Sequence, residues 1–383
     1  MTKKIVHLMK DFSDGEGILC VPAQISCAFK KYLKETHNIV LVTKSIGALS
    51  KVPREIKVNL PTIVHVPNFF SAVSGILKFK PEIVIIHQHF GSFFETFLQM
   101  SMKISGIKTV VGPDLVKEHF VNFEHKAPKE MLKNIGKYIL MFLQLRWADY
   151  VFCRTKNETD LIFPKMPVSK DKFCIIPPGH DLEISAPSMK DDYLLAVSGW
   201  WSDRKNLHTI LKVFSEVVKQ KECKLIVVGK FTKGKYKVID EDRYETGEGY
   251  KQKVVKLVER LKLRGHVRFV GVKKGKELQE LYQKAFIYYM PSKSEGFGTV
   301  WIEAMASGTP IVAMKNSAVQ YIVRDGAIGF LRNTKKGQEE AILTLLNDSM
   351  LYKRMQRNCL KEAERYKWKN VIKEWGKLLI SLA

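Results

Sequence analysis

Two glutamates that flank a glycine-bearing turn are the residues in this sequence best suited to chemistry. A buried-strand pattern ends at Met290 and a helical pattern begins near Thr299, so free backbone N–H groups and the helix dipole can bind an anion at the turn. Glu303, early in that helix, can accept hydrogen bonds from both hydroxyls of a ribose, and Glu295 can meet a second polyol. Two such acceptors beside a phosphate cradle predict a nucleotide-sugar site. Either glutamate alone is also typical of a helix start or a solvated loop.

The segment as a whole is more specific, because it resembles a known signature. Glu295 and Glu303 form an E-x7-E pair inside S-E-G-F-G-T-V-W-I-E-A-M-A-S-G-T-P, residues 294–310, which is similar to the donor site of family 4 retaining glycosyltransferases with the GT-B fold. Further segments similar to that family follow in the expected order at residues 81–84, 148–151, 176–181, 267–271 and 324–326. The resemblance implies that Glu303 binds the donor ribose and that Glu295 contacts the transferred sugar. It also implies that sugar and diphosphate meet the backbone of Gly296, Phe297, Gly298 and Thr299.

A basic pair precedes the first helix of the second half of the chain. The family places an arginine and a lysine on the donor diphosphate at this point, and the resemblance carries the lysine role to Lys205. Trp200 stands at the arginine position, and Arg204 is the alternative cation. Loss of one charge-assisted phosphate bond would cost about 1.5–3 kcal/mol unless another base replaces it. The other interpretation is an exposed basic pair, which the positive end of the helix dipole disfavours.

The first loop of the chain contains the remaining glycines of interest. Gly15 and Gly17 lie where the family brings backbone close to the donor phosphate, although an ordinary turn explains them equally well. A histidine that the family often has near the donor sugar is absent from its expected place, where Pro113 stands. The histidines that could line the same crevice are His87, His89 and His119.

Alternating short apolar runs and helix-length segments predict the fold that positions these residues. They indicate two α/β domains in tandem. The resemblance implies that these are the two Rossmann-like doubly wound domains of the GT-B fold, which face each other across a cleft. We expect an acceptor-binding domain at residues 1–185 and a nucleotide-sugar-binding domain at 186–360, after a linker that begins at Pro177. Residues 361–383 should form a C-terminal helix that crosses back to the first domain. Residues 231–249 are interpreted as a charged loop.

Composition limits the possible classes of protein. With 383 residues, 45% hydrophobic and 27% charged, the chain is typical of a two-domain globular protein, and no apolar stretch reaches about 18 residues. We therefore expect a cytoplasmic protein. Six scattered cysteines indicate neither disulfides nor a metal site, and a D-x-D at Asp240 and Asp242 is interpreted as a solvated loop. The net charge of +24 attracts polyanions, but no nucleic-acid-binding motif accompanies it, so nucleic acid is not an expected partner.

The function predicted from these features is retaining transfer of a hexose from a UDP- or GDP-sugar to a hydroxyl of a glycan. Glu295 and Lys205 are the candidate catalytic residues, because cations and helix amides stabilise a diphosphate leaving group, and no metal or cofactor is expected. A lipid-linked acceptor in polysaccharide, lipopolysaccharide or capsule biosynthesis would explain the net positive charge, because the charge attracts the protein to an anionic membrane. Residues 127–147 are then either a peripheral contact with an anionic membrane or an ordinary core helix. The alternatives are a catalytically silent GT-B partner subunit and a GT-B epimerase or phosphorylase.

Overall fold

A computed structural model describes most of the chain and divides it into two compact units. The described residues are 3–11, 21–34, 36–45, 61–66, 68–87, 92–112, 128–186, 190–231, 234–237, 244–315 and 318–382. The first unit contains residues Met1–Gly179 and Trp368–Ala383, and the second contains His180–Lys367.

The described strands of the first unit form one parallel sheet. They are β1 (Lys3–Asp11), β2 (Thr36–Ser45), β3 (Thr62–His65), β4 (Ile83–His87), β5 (Lys108–Gly112), β6 (Tyr150–Cys153) and β7 (Phe173–Ile175). The helices between them are α1 (Val21–Tyr32), α2 (Phe69–Phe79), α3 (Phe93–Ile104), α4 (Pro128–Trp147) and α5 (Lys156–Ile162). The strand order is β3-β2-β1-β4-β5-β6-β7, so the direction of winding reverses between β1 and β4.

Helices cover both faces of this sheet, which explains why its central strands are continuously apolar. All five residues of β4 are buried. On one face, α2, α3 and α4 pack their inner sides against a cluster that includes Ile76, Leu98 and Met141. On the other face, α1 packs with the C-terminal segment of the chain around Phe29.

The second unit has its own parallel sheet. Its strands are β8 (Tyr193–Trp201), β9 (Lys224–Phe231), β12 (Val267–Phe269), β13 (Ile287–Met290), β14 (Ile311–Ala313) and β15 (Gly329–Leu331). Its helices are α6 (Leu207–Gln220), α7 (Gly247–Arg260), α8 (Gly275–Lys284), α9 (Thr299–Ala306), α10 (Val319–Ile322), α11 (Lys335–Asn347) and α12 (Ser349–Arg365). The strand order is β12-β9-β8-β13-β14-β15. The winding reverses between β8 and β13, which is the arrangement of a dinucleotide-binding fold.

The charged segment 231–249 is not entirely a loop, which corrects the sequence-based interpretation. Two three-residue strands, β10 (Lys235–Lys237) and β11 (Tyr244–Thr246), pair antiparallel within it. Strands this short, made of charged and aromatic residues, have too little apolar alternation to be detected from sequence.

The C-terminal helix α13 (Trp368–Ser381) packs within the first unit. Its buried Trp375 contacts Phe29 of α1 and Phe152 of β6, with ring centroids 5.2 and 4.7 Å apart. The boundaries between units lie after Gly179 and Lys367, whereas the sequence suggested residues 185 and 360. The difference at the first boundary has a local cause, since the N–H of His180 donates to the carbonyl of Tyr366 and so joins the second unit.

Candidate functional site

Two loops of the second unit meet where the winding of its sheet reverses. One follows β8 and contains residues 202–206, and the other follows β13 and contains residues 291–298. β8 and β13 pair directly in parallel, so their carboxyl ends lie side by side at one edge of the sheet. In open α/β sheets, this edge is where ligands bind. The topology therefore places Lys205 and Glu295, which are far apart in sequence, at the expected binding position.

Glu295 lies between two cations of the other loop. Its Oε1 atom is 2.6 Å from Nζ of Lys205, and its Oε2 atom is 3.2 Å from a guanidinium nitrogen of Arg204. The carboxylate is only 6% exposed. Burial alone would raise the pKa of Glu295, but the charges of Lys205 and then Arg204 outweigh it and hold this pKa below its usual value. Glu295 is therefore an ionised carboxylate at neutral pH.

Further hydrogen bonds hold the two loops together. The guanidinium of Arg204 donates to the carbonyl of Ser294 at 2.9 Å, and the backbone N–H of Lys293 donates to the carbonyl of Arg204 at the same distance. The ammonium of Lys293 lies 2.7 Å from a carboxylate oxygen of Asp203. These contacts fix the position of the basic pair relative to Glu295.

Asn206 completes this connection from the start of α6. Its backbone is in the left-handed region, with φ at 59°, a conformation that Asn tolerates better than most residues. Its side-chain amide donates to the carbonyl of Pro291 at 3.0 Å. Sequence reasoning assigned no role to Asp203, Lys293 or Asn206. Asn at a helix start was the one available signal, because the partners of all three depend on the pairing of β8 with β13.

The start of α9 has the backbone geometry of an anion site. Gly298 adopts a φ of 79°, and a Cβ atom there would lie 2.5 Å from the indole nitrogen of Trp301, so only glycine fits without strain. Phe297 is buried in the core and anchors the turn. The backbone N–H groups of Thr299 and the residues after it belong to the first turn of α9, where N–H groups have no intrahelical acceptor.

Glu303 lies in the second turn of α9 with a buried carboxyl oxygen. Among the described residues, no donor forms a hydrogen bond with Oε2 of Glu303. Burial raises the pKa of this carboxyl, and the nearby hydroxyl of Tyr282 opposes that shift without reaching hydrogen-bond geometry. Oε2 of Glu303 is therefore a buried acceptor whose neighbouring donor is the Tyr282 hydroxyl.

Trp200, at the arginine position of the resembled family, ends up at the carboxyl end of β8. A register shift separates Val197 from Trp200, and the Trp200 side chain is 44% exposed. Nζ of Lys230, at the end of β9, lies 4.1 Å from the Trp200 ring centroid. The carboxyl ends of β8 and β9 thus lack the expected arginine but place Lys230 over the ring of Trp200.

Several candidates lie outside the described residues, namely Gly15, Gly17, His89, Pro113, His119, Asp240 and Asp242. His87 is described, and it is buried at the end of β4. Its Nε2 atom lies 3.1 Å from Nδ1 of His7 on β1, and the two rings stack. Burial lowers the pKa of His7 to about 3 and the pKa of His87 well below its usual value, so both rings are neutral at pH 7.

Two kinds of feature are missing from the described part of the chain. Groups of three or more His, Cys, Asp or Glu side chains with the spacing of a metal site do not occur there. None of the described helices combines the length and the hydropathy needed to cross a bilayer.

Sequence comparison finds a family match for the second unit. Residues 182–362 match the family described as Glycosyl transferases group 1. A probable sucrose-phosphate synthase from Thermosipho melanesiensis is 25% identical over 251 residues, which cover 61% of this chain and 55% of that protein. The O-antigen chain mannosyltransferase RfbU from Salmonella typhimurium is 21% identical over 340 residues, or 88% of this chain and 84% of RfbU. The chain spans about half or less of the length of several curated relatives that it matches.

Solved structures share the fold. HepE from Anabaena, solved in complex with UDP, has a TM-score of 0.75 at 17% identity, with 99% of this chain and 100% of HepE covered. The sucrose-phosphate synthase of Thermosynechococcus elongatus has a TM-score of 0.73 over 99% of both chains. The fold class predicted from sequence, two parallel-sheet α/β domains of the GT-B type, is confirmed.

Proposed function

We propose that this protein is a glycosyltransferase that moves a sugar from a nucleoside-diphosphate donor to a hydroxyl of a glycan. One observation carries the proposal. At the reversal point of the second sheet, Glu295, on the loop that leads into α9, binds two cations of the loop after β8, Lys205 and Arg204. The loop that contains Glu295 also presents the amides of a helix start, and Glu303 on α9 adds a buried acceptor. The cations and backbone amides match the diphosphate of such a donor, and the carboxylate acceptors match its hydroxyls.

In this proposal each group has a separate role. The first amides of α9, Lys205 and Arg204 take the diphosphate, while Glu303 accepts hydrogen bonds from the ribose. Glu295 accepts from hydroxyls of the transferred sugar. The sugar–phosphate bond breaks as the acceptor oxygen attacks, and the negative charge that develops on the leaving diphosphate is stabilised by the same cations and amides.

The state of Glu295 favours retention by attack on the face that the phosphate leaves. An acid catalyst must carry a proton, but the low pKa of Glu295 keeps it ionised. A double displacement would need a free carboxylate nucleophile, and both oxygens of Glu295 contact cations. We therefore propose that the proton of the acceptor hydroxyl passes to an oxygen of the leaving phosphate.

The acceptor in our proposal is a glycan carried on a lipid, held by the first unit. The similarity to RfbU, named an O-antigen chain mannosyltransferase, supports a hexose as the transferred group and an envelope polysaccharide as the product. The formal charge of +24 would attract the protein to anionic lipids, which supports binding at the inner face of the cytoplasmic membrane.

A second candidate is a catalytically silent partner with the same fold. Trp200 favours it, because it removes a phosphate-binding arginine of the resembled family. The Lys230 side chain over the Trp200 ring offers a replacement charge at the same edge, which favours the enzyme.

Donor binding and turnover test the proposal together. Titration calorimetry with UDP and GDP should show binding to at least one nucleotide, and mass spectrometry of a panel of nucleotide sugars should show nucleotide release that rises with acceptor. Lys205→Met should abolish both, whereas Lys253→Met on α7 serves as the matched lysine control. Treatment with EDTA should leave turnover unchanged. Absence of any nucleotide binding would favour the silent partner, and turnover that requires no acceptor, or only phosphate, would favour an epimerase or a phosphorylase.

A further inference from the structure

We propose that the outer side of α2, α3 and α4 is a docking face for a bilayer that contains anionic lipids. This apolar face consists of exposed hydrophobic side chains on three neighbouring helices of the first unit, namely Phe70, Leu77, Phe93, Phe97, Ile104, Ile135 and Ile139. α2 packs on α3, and α3 packs on α4, so the three helices form one layer over the sheet. Large apolar patches on the surface of a protein mark places where a partner binds.

The centre of the apolar face is α3, which is hydrophobic on two opposite sides. Leu98 and Met102 are fully buried against the sheet. Phe93, Phe97 and Ile104 occupy positions i, i+4 and i+11, which place them on one stripe of the opposite side. They are 67%, 48% and 79% exposed, although each would gain about 1.5–3 kcal/mol from full burial. A helix that needed only to cover the sheet would carry polar residues on this stripe.

The neighbouring helix α2 extends the apolar face. Phe70 is 81% exposed, and Leu77, seven positions later, lies on the same side of the helix. Edge contact between Phe69 and Phe94, with centroids 6.1 Å apart, joins the starts of α2 and α3. A reciprocal pair of hydrogen bonds between Asn68 and Ser71 caps α2, so the helix start that presents Phe70 is well ordered.

The charge around this face selects an anionic bilayer as its occupant. Exposed Lys78, Lys103, Lys137 and Arg146 lie on the same three helices. α2 has no acidic residue, and α3 and α4 have one each, Glu95 and Glu130. Two copies of this chain would bring these cations together, which costs energy, whereas anionic headgroups attract them while the aromatic rings enter the acyl boundary.

The structure also revises which segment makes this contact. The sequence left residues 127–147 as either a membrane contact or an ordinary core helix, and the described inner side of α4 packs into the core through Met141 and Leu145. Only its outer edge, with Ile135 and Ile139, joins the apolar face. The proposal rests on the proposed function only for its purpose, which is access to a lipid-linked acceptor.

Vesicle flotation tests the proposal with the full chain. Vesicles of phosphatidylcholine with 30% phosphatidylglycerol should float the protein, and phosphatidylcholine alone should float it at least tenfold less. The double variant Phe93→Ser/Phe97→Ser should lower the partition coefficient on anionic vesicles at least tenfold. Phe269→Ser, at a comparably exposed phenylalanine of the second unit, should leave it unchanged. Thermal midpoints of all variants check folding, and none of the substituted side chains is buried.

Three results would overturn the proposal. They are failure of the wild type to float with anionic vesicles, equal flotation of the double variant, and loss by that variant of a dimer seen in light scattering of the wild type without vesicles. The last result would assign the apolar face to a second copy of the chain. Nucleotide binding, measured without vesicles on the same preparations, reports on the second unit alone, so failure of docking and failure of the proposed function give different results.

Discussion

Replacing Glu295 with glutamine should lower the free energy of unfolding of the nucleotide-free protein. The same substitution should raise its affinity for a nucleoside diphosphate. The substitution keeps the shape and one acceptor oxygen but removes the charge that holds Lys205 and Arg204 at 2.6 and 3.2 Å. Removing one partner of a buried ion pair costs about 3–5 kcal/mol. Arg204 is 36% exposed and stays partly hydrated, so a smaller loss than this range, about 2–3 kcal/mol, is expected. For a unit of this size, that lowers the melting temperature by roughly 4–12 °C.

The effect on ligand binding should have the opposite sign. In the wild type, a diphosphate must share the two cations with Glu295, whereas in Glu295→Gln their full charge is available to it. A charge-assisted hydrogen bond is worth about 1.5–3 kcal/mol, so the affinity for UDP should rise about tenfold or more. Turnover should fall at the same time, because the proposed contact with the transferred sugar is lost.

Calorimetry of UDP binding and denaturation of the free protein measure the two halves of this prediction. Glu158→Gln is the matched control, because Glu158 is a fully buried carboxylate paired with Arg154 at 3.0 Å in the first unit. It should lose stability without a change in UDP affinity. If Glu295→Gln bound UDP no more tightly than the wild type, the two anions would not share these cations and the assignment of the diphosphate to them would be wrong.

Three further predictions concern other parts of the molecule. Glu303→Ala should weaken UDP binding about tenfold and abolish the preference for UDP over 2′-deoxy-UDP, as measured by calorimetry, and a preserved preference would refute the ribose contact. Gly298→Ala should cost about 2–4 kcal/mol of stability through its left-handed backbone and the clash with the neighbouring indole, whereas Gly265→Ala, with open space around it, should cost little in urea denaturation. His7 and His87 have native pKa values below 6.5, so the unfolded chain binds more protons below that pH, and stability falls as the pH decreases from about 6.5 toward 3. His7→Gln should reduce this slope by about 1.4 kcal/mol per pH unit, and an unchanged slope would show that His7 is not buried neutral.

The fold was largely accessible from sequence because its strands are short and continuously apolar. β4 is an example, since Ile83 to Ile86 can only be buried, and helices on both faces of a parallel sheet bury them. The end of β8 could not be predicted from sequence. The apolar pattern ends at Val197, but the strand continues past a register shift to Trp201, because Gly229 on β9 leaves room for the carbonyl of Ser198.

The residues of the candidate site could be predicted from sequence, but the contacts between them could not. E-x7-E marks Glu295 and Glu303, whereas nothing local shows that Glu295 binds Lys205, because that contact depends on β8 and β13 becoming neighbours. The apolar face escaped detection for a related reason. Phe93, Phe97 and Leu98 are apolar residues of one helical segment, and only the position of the sheet distinguishes the buried Leu98 from the two exposed phenylalanines.

The second unit interrupts the first, and the two ends of that interruption are neighbours. His180 and Lys367, the first and last residues of the second unit, pair through a parallel β-bridge. Residues 180–367 are therefore a self-contained cassette whose excision leaves no distant ends to join. Under the proposed function, exchange of residues 180–367 between related proteins should change the nucleotide sugar that is bound, while the first unit stays intact.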